Sequence, residues 1–161
     1  MATFDRIDYY FEKALSNCEF LLKKKESELT EEDYREIKRY AGNHIGFFLT
    51  WIIQHNFEGE IHKENREAME AIEAVRREEM LGVYFLIDYC DEKFWGVDVS
   101  EEIYPFVSAY YEKYFSEYVN FVLNDLCDLP LEFIGTWEDY HDFEPVLDEA
   151  YTQYKKGLLQ K

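Results

Sequence analysis

One stretch, N-H-I-G-F-F-L-T-W-I-I-Q-H from Asn43 to His55, limits what this chain can fold into more than any other. Its uncharged part, Ile45 to Ile53, is about half of a membrane span of about 20 residues. It is nevertheless too apolar to lie on a surface. Read as a helix, it places Ile45, Phe48, Trp51/Ile52 and His55 on one face, which must be buried against other elements. The two histidines share that face but lie about 16 Å apart at 1.5 Å per residue. A shared metal would need them three or four residues apart. His44 is therefore expected in the first turn of this helix as a structural histidine, hydrogen-bonded to a neighbouring loop or acid. A ligand or general base is the alternative.

The flanking segments also read as helices. Ile7, Phe11, Ala14, Cys18 and Leu21 make one stripe, closed by Lys23-Lys24-Lys25, whose charges suit a helix C-terminus. Thr30-Glu31-Glu32-Asp33 is a capping box that opens a helix with Tyr34, Ile37 and Tyr40/Ala41 inside. Gly42-Asn43 predicts a break or kink before the apolar run. Glu64 to Arg77 repeats the period with Ala68, Ile72 and Val75. The stretch from Met80 to Tyr89 suits helix or strand, and it is read as helix because no partner strand is evident. Asp98 to Glu101 is a capping signal for a helix beginning near Ile103. Pro105 falls in its first turn, and Ile103, Val107, Tyr110, Tyr114, Tyr118 and Phe121 lie on its buried side. Leu129-Pro130 interrupts the pattern. Asp142 is expected to cap the last helix, with Pro145 in its first turn and Val146, Ala150, Tyr154 and Leu158 inside. The expected fold is all-α, one bundle of about five to seven helices spanning residues 1–161.

A chain of 161 residues can bury about 70% of its unfolded surface and needs no metal or disulfide staple. Cys18, Cys90 and Cys127 are odd in number and far apart, which reads as reduced, mostly buried thiols in a cytosolic protein. The charged N-terminus has no apolar leader, and a cytoplasmic location is expected. Charge is more informative. There are 17 Lys and Arg against 35 Asp and Glu, for a net −18. The halves differ: Met1–Met80 has 12 bases and 18 acids, Leu81–Lys161 has 5 and 17. From Asp88 to Glu149 the only bases are Lys93 and Lys113. Such a chain repels nucleic acid and anionic membrane and attracts cationic proteins.

Catalytic signatures are absent. The chain has no P-loop, no G-x-G-x-x-G and no G-x-S-x-G. No histidine or cysteine has metal-ligand spacing, so neither metal nor cofactor is expected; His62 stands alone in a polar stretch. His141, among Glu138, Asp139 and Asp142, is the other candidate centre for an enzyme besides His44. Two aromatic–acid clusters remain, and aromatic anchors with acids around them suit an interface with a basic protein. The first contributes Asp88, Tyr89, Asp91, Glu92, Trp95 and Asp98. The second contributes Trp137, Glu138 and Asp139. Either tryptophan can equally be a core residue beside solvated acids.

Several blocks appear in order: N-H-I-G-F-F-L-T-W-I-I (43–53), L-I-D-Y-C-D-E-K-F-W (86–95) with D-V-S-E-E (98–102), F-V-S-A-Y-Y (106–111), and T-W-E-D-Y (136–140) with P-V-L-D (145–148). Over about Tyr40 to Tyr154 the chain resembles an uncharacterised bacterial family with a (T/N)-H-I-G-x-F-L-x-W helix and a C-D-G-K-(L/F)-W segment. The resemblance implies a small cytoplasmic partner of a polymorphic toxin, an immunity-like protein, and it supplies no catalytic residues. Glu92 stands where that motif has glycine, which predicts a different turn after Cys90. Tyr9 to Glu28 reads as a longer opening helix than the family's.

The leading expectation is an acidic protein-binding module that occludes a basic, toxin-like partner. An enzyme centred on His44 or His141, or a structural adaptor in a homo-oligomer, are the competing classes. The oligomeric state is left open.

Overall fold

The computed structural model describes residues 3–126, 128–133 and 135–159; Cys127 lies outside them. Its elements are β1 (Thr3–Arg6), α1 (Asp8–Ser16), α2 (Cys18–Leu22), α3 (Glu31–Gln54), α4 (Arg66–Arg76), α5 (Gly82–Tyr89), β2 (Lys93–Trp95), α6 (Tyr104–Asn120) and α7 (Trp137–Lys155). This is the expected all-α bundle, with one small ribbon added.

α3 is its axis. Thr30 opens it with the predicted capping box, Thr30 Oγ1 accepting from the Asp33 amide at 3.2 Å and the Asp33 carboxylate accepting from the Thr30 amide at 2.9 Å. The helix then runs unbroken through Gly42-Asn43, against the expected break, and His44 lies mid-helix rather than in a first turn. Every residue from Tyr40 to Ile53 is buried, so the neighbours enclose all faces of the helix rather than one stripe. Gly42 is a packing residue here: a Cβ would sit 2.8 Å from the Ile7 side chain. Asn43 spends its amide on the Tyr118 hydroxyl at 3.0 Å instead of capping.

α5 lies directly on α3. A Cβ on Gly46 would come within 2.6–2.7 Å of Val83 Cβ, Cα and N. Thr50 stitches the crossing, its Oγ1 donating to the Gly46 carbonyl at 2.7 Å and accepting from the Gly82 amide at 3.0 Å. This contact resolves the helix-or-strand ambiguity of the segment, because Val83, Phe85 and Leu86 bury themselves on α3.

β1 and β2 pair antiparallel, with Asp5 opposite Phe94 and Arg6 opposite Lys93. The ribbon was not foreseen, since neither strand is long enough to show a period of two. It seats Asp5 beside α3. The stripe of α1 and α2 is partly as expected, with Ile7, Ala14 and Cys18 buried. α6 starts at Tyr104 with Pro105 in its first turn, and its six predicted inward residues are all buried. Asp98 does not cap it; that carboxylate serves an earlier 3-10 turn, Gly96–Asp98.

α7 is capped at Thr136, six residues before the expected cap at Asp142. Thr136 and Asp139 form a second T-x-x-D capping box. Pro145 therefore sits inside the helix, where it withholds one backbone donor. Tyr140, Phe143, Leu147 and Ala150 are buried, Val146 and Tyr154 are half-buried, and Leu158, beyond the end of the helix, is exposed. No described helix is long and apolar enough to cross a membrane.

Candidate functional site

The first aromatic–acid cluster follows the end of α5 into β2 and the turn Gly96–Asp98. Its acids are largely engaged. Asp88 forms a two-pronged pair with Arg35, and Glu92 meets Lys38 at 2.9 Å. Asp91 is paired with Lys93 at 3.4 Å. Tyr89 is half-buried beside Phe85, and Trp95 is half-buried with Lys93 Nζ 5.7 Å from its ring centre. Asp98 is 2% exposed, which corrects the expectation of a partner-facing carboxylate. The turn after Cys90 also departs from expectation. Asp91 and Glu92 both take left-handed backbone, φ 55° and 60°, so Glu92 keeps the conformation that glycine favours at that motif position.

Asp98 instead belongs to a buried triad. His62 comes from the 3-10 turn Glu60–Glu64, Cys90 caps the end of α5, and Asp98 closes the turn Gly96–Asp98. The two turns are tied backbone to backbone: the Gly59 amide donates to the Asp98 carbonyl at 2.8 Å, and a Cβ on Gly59 would strike the Val97 carbonyl. His62 Nε2 lies 3.0 Å from Asp98 Oδ1, and the Trp95 amide donates to Asp98 Oδ2 at 2.7 Å. One imidazole nitrogen, the thiol sulfur and one carboxylate oxygen all lie within 4.8 Å of one another. Burial, and then the adjacent Asp98 charge and hydrogen bond, push the Cys90 thiol well above its ordinary pKa. The triad opens onto a cleft of about 570 Å³, walled by Glu64, Asn65, Tyr89, Asp91 and Trp95. Sequence reasoning missed it because its members are far apart in the chain. No local spacing marks them.

The second cluster lies on α7. Asp139 is occupied as the N-terminal cap, and Trp137 packs half-buried on Tyr140 with ring centres 5.6 Å apart. Glu138 is exposed, and with Asp142 and Glu149 it follows the helical spacing of four and seven along one face. None of these three carboxylates is bonded to a base among the described residues. Beside Glu149 a groove of about 420 Å³ runs between α6 and α7, its floor formed by Pro145, Val146, Ala150 and Leu158. Lys113, on its α6 side, lies 3.8 Å from Glu117. No hydrogen bond or ring contact joins the two clusters among the described residues.

Residues 3–130 match the model of a family described as a domain of unknown function, DUF7832. The chain belongs to that family. No curated protein and no solved structure matches it. The DUF7832 match takes in β1, α1 and the whole His62–Cys90–Asp98 cleft, and stops before α7.

The histidines of this DUF7832 chain settle into distinct roles. His44 is buried at the bottom of an Asp5-centred network, with its Nε2 3.0 Å from Asp5 Oδ2. Asp5 also accepts from the hydroxyls of Tyr10 at 2.9 Å and Tyr111 at 2.8 Å. A hydrogen-bonded structural histidine was expected; the acid that holds it was not identified, because β1 was not. His55 Nδ1 donates to the Trp51 carbonyl at 2.8 Å while its ring stacks on that tryptophan. The Trp51 indole in turn donates to Asp148 at 2.9 Å, anchoring α7 to α3. His141 lies between Glu78 and Glu144, and the hydrogen bond to Glu78 raises its pKa.

Proposed function

We propose that the protein is an acidic binding module that docks a cationic protein on its α6–α7 side. In this reading the partner is a basic toxin that the protein inhibits as an immunity protein does. The observation that carries the reading is the exposed stripe Glu138–Asp142–Glu149, bonded to no base among the described residues, with Glu149 lining an apolar groove. Unpaired acids steer a cationic partner to the surface, and an apolar floor gives a docked chain something to bury. The sequence resemblance to immunity-like proteins and the net charge of −18 support the same reading. The 88–98 segment contributes less, because Asp88, Glu92 and Asp91 already pair with Arg35, Lys38 and Lys93, and Asp98 is buried.

The test uses the partner recovered from the native host. Glu138→Lys, Asp142→Lys and Glu149→Lys combined should slow association by about tenfold or more at low salt, with little change in dissociation. The helical circular dichroism should be unchanged, since all three side chains are exposed. An unchanged on-rate would remove the acidic stripe from the interface.

A second reading, an enzyme or small-molecule site centred on His44, also has one observation in its favour. His44 lines a cavity of about 430 Å³ with Tyr10, Phe115 and Tyr118, and Asp5 orients its ring as in a His–Asp pair. His44→Gln separates the two: it should leave binding of the cationic partner unchanged and abolish any turnover.

A further inference from the structure

The His62–Cys90–Asp98 triad combines three donor types from three separate elements, all buried, at the floor of an open cleft. We propose that these residues form a transition-metal site that takes Zn²⁺ through His62 Nε2, Cys90 Sγ and Asp98 Oδ1. The site is independent of the α6–α7 face and stands or falls apart from the proposed function.

The donor set selects the ion. Calcium and magnesium take oxygen ligands, whereas a thiolate with an imidazole favours zinc among the common divalent ions. Zinc bonds sulfur at about 2.3 Å and nitrogen or oxygen at about 2.0–2.2 Å. Donors already within 4.8 Å of one another close on such an ion with side-chain shifts of about an ångström. Three protein ligands leave a fourth tetrahedral position, the arrangement of zinc sites that hold a water or a substrate group. That position can be reached, because all three residues line the cleft.

The surroundings already orient the ligands. The Trp95 amide holds Asp98 Oδ2 at 2.7 Å, which turns Oδ1 toward His62. The His62 ring is fixed edge-on against Phe85, with centres 5.0 Å apart. Such supporting contacts are what a metal site requires beyond its ligands. Without metal, His62 Nε2–H donates to Asp98, and the protonated Cys90 thiol lies beside the same carboxylate. On binding, Cys90 releases its proton to solvent and His62 carries its proton on Nδ1. Bonds form from Sγ, Nε2 and Oδ1 to the ion, with a net release of one proton and no redox change.

The experiment is titration of the full chain, purified free of metal, with Co²⁺ as a spectroscopic stand-in and then with Zn²⁺. We expect one ion per chain, a near-ultraviolet thiolate-to-cobalt absorption, intense visible bands of tetrahedral cobalt, and loss of all of these on adding Zn²⁺. Cys90→Ser should abolish the thiolate band and weaken binding by more than about tenfold. Cys18→Ser with Cys127→Ser should leave the spectrum intact. Absence of the thiolate band in the wild-type chain would overturn the proposal even if Cys90→Ser failed to fold. A band that survives Cys90→Ser would overturn it as well.

Discussion

Gly46→Leu should leave the protein without a cooperative unfolding transition, retaining helix but losing fixed packing. The cause is the crossing of α3 and α5, where a Cβ at residue 46 would lie 2.6–2.7 Å from Val83, backbone atoms included. A flexible side chain can rotate away from an added methyl group, but the backbone of an opposing helix cannot. Even Gly46→Ala should cost about 1–3 kcal/mol or more, the range for overpacking a tight interior. Gly42→Ala should cost less, because its added Cβ meets side-chain atoms alone, Ile7 at 2.8 Å and Leu86 at 3.5 Å, which can move. Urea melts of the three variants test this order. Equal costs at positions 42 and 46 would show that the α3–α5 contact is looser than described.

Removal of Asp5 should have the second large effect. Its buried carboxylate holds His44, Tyr10, Tyr111 and the Arg6 amide. Asp5→Ala strands the buried His44 and Tyr111 and the half-buried Tyr10 together, and should cost about 3–5 kcal/mol, as when one partner of a buried pair is deleted. That is a large part of the roughly 5–15 kcal/mol that holds a domain folded. The same network predicts an acid dependence. Burial alone would raise the Asp5 pKa, but the His44 hydrogen bond and charge, with Tyr111 and the Arg6 amide, outweigh it and lower the value below the ordinary 3.8. A lowered carboxyl pKa stabilises the fold above the unfolded value, and that contribution is lost as pH falls through the folded value. The stability gap between wild type and Asp5→Asn should therefore hold steady near neutrality and narrow below the ordinary value of 3.8. A gap that widens in acid would contradict this assignment.

What the sequence made legible was whatever its local patterns encode. The capping box at Thr30, the inward face of α6 and the helical period of α4 needed only neighbouring residues, and the structure carries all three. Gly42-Asn43 misled because the same residues that end helices also permit close packing, and only the surrounding elements decide between the two. Asp142-Pro145 misled as a helix start for a similar reason: proline is read as a first-turn residue, yet a packed helix can hold it inside. The two buried polar clusters, Asp5–His44 and His62–Cys90–Asp98, were beyond local reading. Asp5 meets His44 only because β1 pairs with β2, and His62 meets Asp98 only because two short turns are locked together at Gly59. Charge showed the opposite weakness. The acidic surplus was plain, but Asp88 and Glu92 meet their bases on α3, so the unpaired charge lies further along the chain.

Amide hydrogen exchange on the complex with the native partner tests the central claim most directly. The account predicts slowed exchange in α7 and the facing turns of α6, around Glu138, Asp142 and Glu149, weakening together with affinity as salt rises and screens exposed charges over about 8–10 Å. Protection confined to the 88–98 segment or to α1, with affinity independent of salt, would contradict it.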